Sequence, residues 1–179
     1  LFGGECGPPQ SHFGYGRPVA ATVHALDLDA PGAPAWRAVP VTAGAPPSPR
    51  LGHGQCVVDV GGRAFLYVFG GRRPARAGAA YDGAEAIASL NDAHRLDLAT
   101  GAWEALPCTG DVPSERSYVA MACAPGGGGS GSRIYLFGGM IDNSRYSDLY
   151  AFDPQSFAWI RLPDGPMEGR GGAGLCAVP

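Results

Sequence analysis

The chain has 179 residues and a formal net charge of −3, and 29 of its residues are Gly and 17 are Pro. The near-balanced charge gives no support to a nucleic-acid or polybasic membrane surface, and no stretch approaches the ~18–20 apolar residues of a membrane helix. A Gly plus Pro share of about a quarter points to disorder, yet the chain is 45% hydrophobic and 16% charged, too apolar for a disordered chain, so the glycines must be structural and helices, which Gly and Pro disfavour, are not expected.

In chain order, Leu1-Phe2-Gly3-Gly4 comes first, without a Met, a basic n-region or a signal peptide, and reads as the interior of a longer protein. An insertion follows from Cys6 to Arg17, with His12, Phe13, Tyr15 and Arg17 as an adhesive cluster. Val23–Asp27 is an apolar segment ending in Asp, and Trp36 lies in the next strand. A Pro-rich turn leads to Pro49-Arg50, which opens a strand of small residues. Phe65–Val68 runs into Phe69-Gly70-Gly71, a β-branched and aromatic strand ended by a glycine pair.

A second insertion spans roughly Pro74 to Ser89, with Tyr81, Asp82 and Glu85. Ala93–Asp97, Trp103 and Glu115-Arg116 then repeat the earlier order, followed by Ser117–Ala122. The Gly/Ser-rich stretch from Pro125 to Ser132 reads as a hairpin loop. Ile134–Leu136 enters Phe137-Gly138-Gly139, and Leu149–Asp153, Trp159 and Gly169-Arg170 complete another unit.

Phe-Gly-Gly therefore recurs at steps of 67 and 68 residues, and a Trp follows each copy by 34, 34 and 22. Four short strands per unit, a terminal glycine pair and one Trp describe a propeller blade. Near the propeller axis the backbone approaches closely and adopts positive φ, which Gly tolerates, and each Trp is expected to fill the layer between neighbouring blades. Arg50, Arg116 and Arg170 recur with the repeat and are assigned a structural role at blade junctions.

The double glycines, the aspartates, the tryptophans and the Pro-Arg step resemble the kelch repeat family along the whole chain. The resemblance implies an all-β fold, a partial, open propeller of two complete four-stranded blades and two partial ones, bounded near 1–47, 48–112, 113–167 and 168–179. The remaining blades would lie in the full-length protein.

Gly3-Gly4-Glu5, Gly70-Gly71-Arg72, Asn143-Ser144-Arg145-Tyr146 and Gly169–Leu175 are most similar to the nitrile-specifier and thiocyanate-forming kelch proteins. That similarity implies a propeller mouth where arginines hold an anionic sulfate, and Fe(II) bound by Glu-x-x-x-Asp-x-x-x-His in a later blade. The motif does not occur in these 179 residues, so no metal site or catalytic residue is assigned in this chain and Fe(II) belongs to the full-length protein on this reading. Arg72 and Arg145 carry over as ligand-binding candidates, because a guanidinium suits a planar anion.

Other motifs are set aside. Gly169–Gly174 matches Gly-x-Gly-x-x-Gly but precedes a strand rather than opening a helix. His12, His24, His53 and His94 lack metal-ligand spacing, and His24, His53 and His94 are read as structural. Five cysteines, Cys6, Cys56, Cys108, Cys123 and Cys176, form no Cys-x-x-Cys pair and are read as reduced, intracellular thiols, in the cytoplasm or nucleus. Cys56, Cys123 and Cys176 fall in first strands and are expected to be small core residues.

The leading functional expectation is a binding module that engages a protein partner or small anionic ligand through loops on one face, without nucleic acid or membrane. The N-terminal half of an iron-dependent nitrile-specifier-type protein is the alternative. A kelch domain attached to a ubiquitin-ligase-type adaptor is a third.

Overall fold

Strands dominate because the chain alternates β-branched and aromatic runs with Gly, Pro and Asp turns. The computed structural model describes residues 1–3, 21–74, 87–125 and 131–178. The strands are β1 (Val23–Asp27), β2 (Ala35–Val39), β3 (Gly54–Val60), β4 (Arg63–Pro74), β5 (Ile87–Asp97), β6 (Trp103–Ala105), β7 (Thr109–Gly110), β8 (Ala120–Pro125), β9 (Ser132–Phe137), β10 (Met140–Ile141), β11 (Ser144–Arg145), β12 (Leu149–Asp153) and β13 (Ala158–Leu162). Among the described residues there is no helix, and so none able to cross a membrane.

The sheets are antiparallel meanders. β3-β4-β5-β6 forms one and β8-β9-β12-β13 another, the latter carrying β7 in parallel on its outer edge. β1-β2 is a hairpin that Phe2 extends by bridging Val23. Ala43 likewise bridges Ala102 in parallel, and the Trp103 amide donates to the Ala43 carbonyl at 3.0 Å. The linker after each outermost strand thus covers the outer edge of the next sheet, blunting an edge that would otherwise pair with another chain.

Local chemistry fixes the turns. Gly61 and Gly62 both have positive φ, 62° and 80°, as a two-residue hairpin of the primed type requires. The repeating Asp closes the turn between third and fourth strands: Asp97 Oδ1 accepts from the Ala99 amide at 2.9 Å, and Asp153 Oδ1 from the Gln155 amide at 2.8 Å.

Two apolar layers join three successive units. Phe2, Val23, Leu66, Val68, Leu96 and Trp103 form the first. Phe65, Tyr67, Phe69, Ile134, Leu136, Phe152 and Trp159 dominate the second. Trp103 and Trp159 each meet the Phe of the preceding blade's glycine pair edge-on, Trp103 on Phe2 at 5.4 Å and Trp159 on Phe69 at 5.0 Å. These are radially adjacent blades of a partial propeller, as the repeat predicts.

Three expectations are corrected. Trp36 is 61% exposed, because among the described residues no blade packs on the face of β1-β2 that it shares with Leu26. Each first strand begins a few residues after its Arg, at Gly54 and Ala120, because the Arg itself is occupied at the blade junction. After Arg170 the described chain forms no strand, since no partner strand lies beside it, and Cys176 is exposed rather than a core residue.

Candidate ligand-binding face

The glycine pairs define one end of the arc. Gly70 has φ of 61°, and a Cβ there would lie 2.8 Å from the Arg116 carbonyl oxygen. The equivalent clashes are 2.8 Å from Gly3 to the Arg50 carbonyl and 2.6 Å from Gly138 to that of Arg170. The second glycine of a pair then donates across the blade boundary, Gly71 to the Arg116 carbonyl at 2.9 Å and Gly139 to that of Arg170 at 3.0 Å.

The side chains of Arg50 and Arg116 hold their own blades. Arg116 makes a bidentate pair with Asp148, at 2.6 and 3.0 Å, and also donates to the Gly138 carbonyl, the Ser114 carbonyl and the Ser114 hydroxyl. Arg50 repeats every bond with Asp92, Gly70 and Ser48. Both guanidinium side chains are 1% exposed. Burial works to raise the Asp92 carboxyl, but Arg50 and the His94 imidazole outweigh it and hold it well below the usual carboxylate range. Arg170 is exposed, and its Nε donates to the Glu168 carbonyl at 3.2 Å.

A further ring lies two residues after each repeating Arg. Gly52, Tyr118 and Gly172 share a positive φ of 65°, 55° and 73°. Their backbones form a chain around the axis, Tyr118 amide to Gly52 carbonyl and Gly172 amide to Tyr118 carbonyl. Tyr118 is thus a bulky residue in a conformation its repeat partners reach with Gly, a costly choice of the kind found at functional positions.

Arg72 follows its glycine pair and bridges Leu51, as Met140 bridges Ser117 in the next blade. Its Nη2 donates to the Tyr118 hydroxyl at 2.6 Å, and its guanidinium carbon lies 4.7 Å from the Tyr118 ring centroid. Arg145 sits in β11, opposite Met140 in β10, and is exposed. A Cβ on Gly171 would contact both Met140 and Tyr118 at 3.3 and 3.4 Å, so Arg72, Tyr118, Met140 and Arg145 follow one another along the same end. His12, Phe13, Tyr15 and Arg17 lie outside the described residues.

His53 lies deeper, its ring 5.4 Å from Phe2. Burial, and then the Arg50 charge, lower its pKa to about 4, which keeps it neutral. His94 pairs with Asp92 at 2.8 Å, and His24 is exposed. Among the described residues no three His, Cys, Asp or Glu side chains converge as a metal site would require.

A cavity of about 230 Å³ opens at the opposite end, lined by Arg63, Phe65, Arg95, Asp97, Trp103 and Glu104. Its cations are already committed: Arg63 pairs with Asp97, and Arg95 with Glu104 at 2.7 Å. Both guanidinia also lie over Phe65, at 5.4 and 4.6 Å. A site neutralised in this way offers little to an anion.

Sequence reasoning missed Asp92, Asp148 and Tyr118. Both aspartates stand five residues before the repeating Asp97 and Asp153, a regularity that marks them once looked for.

The KLHDC2/KLHL20/DRC7 Kelch-repeats domain model matches residues 1–179. Among curated relatives, Kelch domain-containing protein 2 of Bos taurus is 34% identical over 125 residues, 69% of this chain and 25% of that protein. N-(sulfonatooxy)prop-2-enimidothioate sulfolyase of Thlaspi arvense is 31% identical over 124 residues, 69% of this chain and 30% of that protein. tRNA wybutosine-synthesizing protein 2/3/4 of Arabidopsis thaliana is 30% identical over 63% of this chain and 9% of its own length. The chain thus spans less than a third of each of these relatives. The solved structure of YjhT superposes with a TM-score of 0.60 at 19% identity, over 84% of this chain and 47% of that one, a likeness of fold. With the family model matched over residues 1–179, and with Trp103, Trp159, Arg50 and Arg116 buried at repeating positions, the chain belongs to the kelch-repeat family.

Proposed function

We propose that the chain is a binding module whose glycine-pair end receives an anionic group carried by a protein partner or small ligand, with Arg72 and Arg145 as its cationic contacts. The observation that carries this reading is the fixing of Arg72 against Tyr118, at 2.6 Å to the hydroxyl and 4.7 Å to the ring. A guanidinium already held by a phenol hydroxyl loses less freedom on meeting a carboxylate or sulfate, and its fork suits such planar anions. Kelch-repeat domains commonly serve as protein-interaction modules, which agrees with a site made of loops and strand ends rather than an enclosed pocket.

The test measures inorganic sulfate binding by calorimetry for the wild type, Arg72→Ala, Arg145→Ala and the double variant. The double variant should bind at least tenfold more weakly with an unchanged melting temperature. Unchanged affinity in it would refute the assignment.

A second reading, the N-terminal half of a nitrile-specifier-type protein, draws support from the 31% identical sulfolyase. That reading places the Glu-x-x-x-Asp-x-x-x-His iron motif outside these 179 residues, in which the order does not occur. Fe(II) binding by the full-length protein separates the two: stoichiometric binding favours the specifier-type reading, and none favours the plain module.

A further inference from the structure

Two thiols face each other across the layer between the second and third blades. Along β3, Gly54, Cys56, Val58 and Val60 share one strand face. Val58 is buried in the layer, and Cys56 and Val60 pack against it. From the other side, Val119 is buried in the same layer, with Met121 and Cys123 of β8 packed on it. The strands approach closely here, since a Cβ on Gly54 would lie 2.6 Å from Met121 Sδ and 2.7 Å from Val119 Cγ2. Two residues further along both strands, the Cys123 thiol donates to the Val57 carbonyl at 3.3 Å. Its sulfur therefore reaches the β3 backbone at the residue next to Cys56. Both cysteines are free and half-buried.

We propose that Cys56 and Cys123 form a redox-sensitive pair that closes to an interblade disulfide when the protein meets a small disulfide of the glutathione class. The Cys123 thiolate attacks one sulfur of that disulfide, whose S–S bond breaks, and the first thiol leaves. Cys56 then gives its proton to solvent and attacks the Cys123 sulfur, and the second thiol leaves. The two cysteines lose two electrons and two protons, and one small disulfide becomes two thiols.

The order of steps follows from the surroundings. Burial, and then the neighbouring Cys123, push the Cys56 thiol up to about 12, so it is a poor attacker of a disulfide in solution. Once Cys123 is capped, that neighbour can no longer become an anion, and Cys56 is held beside the sulfur it must attack. Among the described residues, the competing thiols are placed elsewhere. Ala120, Ala122 and Ala124 take the opposite face of β8, and Cys176 is exposed beyond the last strand. Cys108 lies at the outer edge beside Trp159, its thiol raised by burial.

Oxidised glutathione is the probe. The protein is incubated with it under native conditions, blocked with iodoacetamide, weighed intact and mapped by non-reducing peptide analysis. The wild type should lose two hydrogens, yield a Cys56–Cys123 linked peptide and melt several degrees higher, because the link shortens the unfolded chain. Dithiothreitol should reverse all three. Cys56→Ser should stop at a glutathione adduct on Cys123, whereas Cys108→Ser and Cys176→Ser should close as the wild type does. A persistent glutathione adduct on the wild type, an unmodified Cys56, or a link to another cysteine would overturn the proposal.

Discussion

Replacing Arg116 by Ala should destabilise the chain more than replacing Arg50, although the two arginines make the same five hydrogen bonds. The difference lies in the carboxylate each leaves behind. Asp148 is 13% exposed and Asp92 43% exposed. Without Arg116, a largely buried carboxylate loses its cation and the Gly138 carbonyl its side-chain donor, which costs about 3–5 kcal/mol. The lost packing of the guanidinium 4.0 Å from the Tyr146 ring adds to this. Without Arg50, Asp92 rehydrates and keeps its bond to His94 at 2.8 Å, so the loss is about 1–3 kcal/mol. Arg170→Ala, at an exposed site, should cost under about 1 kcal/mol. Urea denaturation with unchanged slope measures all three. The double variant Arg116→Ala/Asp148→Ala should recover part of the loss, since it removes the stranded charge. Equal costs at Arg116 and Arg50 would refute the reasoning from carboxylate burial.

His53 gives a pH test. Its folded pKa of about 4 lies below the ordinary 6.5, so between those values the unfolded chain holds the extra proton. Stability should therefore fall as pH drops from 6.5 to 4, by up to about 3 kcal/mol, and His53→Gln should flatten that segment of the curve; an unchanged slope counts against the assignment. Gly70→Ala should cost over about 2 kcal/mol, because it meets the Arg116 carbonyl at 2.8 Å as well as positive φ. Gly61→Ala, with the same φ and open space around it, should cost about 1 kcal/mol; thermal melts that rank them the other way contradict the close-approach argument. Trp159→Ala should cost about 3–5 kcal/mol, whereas Trp36→Ala, at a residue 61% exposed, should cost under about 1 kcal/mol in this chain, again read by denaturation.

The repeat made the fold legible because its marks are single residues with steric jobs. Phe69-Gly70-Gly71 and Trp159 can be recognised from spacing alone, since only Gly fits against the next blade's carbonyl and only a large ring fills the layer. Asp92 and Asp148 were less visible. Insertions of different length separate each from its Arg, so their pairing is spatial rather than sequential. Tyr118 gave no signal, because nothing in its side chain betrays a backbone position that Gly occupies in the other repeats. Trp36 and Cys176 show the limit of reading by register: periodicity assigns a face, but burial needs a neighbour packed on that face.

Residue-resolved chemical-shift mapping during an inorganic sulfate titration tests most directly whether the glycine-pair end is the binding face. Saturable shifts are expected at Arg72, Tyr118 and Arg145, centred on the Arg72 side chain. Shifts confined to the Arg63, Arg95 and Glu104 cleft at the opposite end, or no saturable shifts at all, would contradict this.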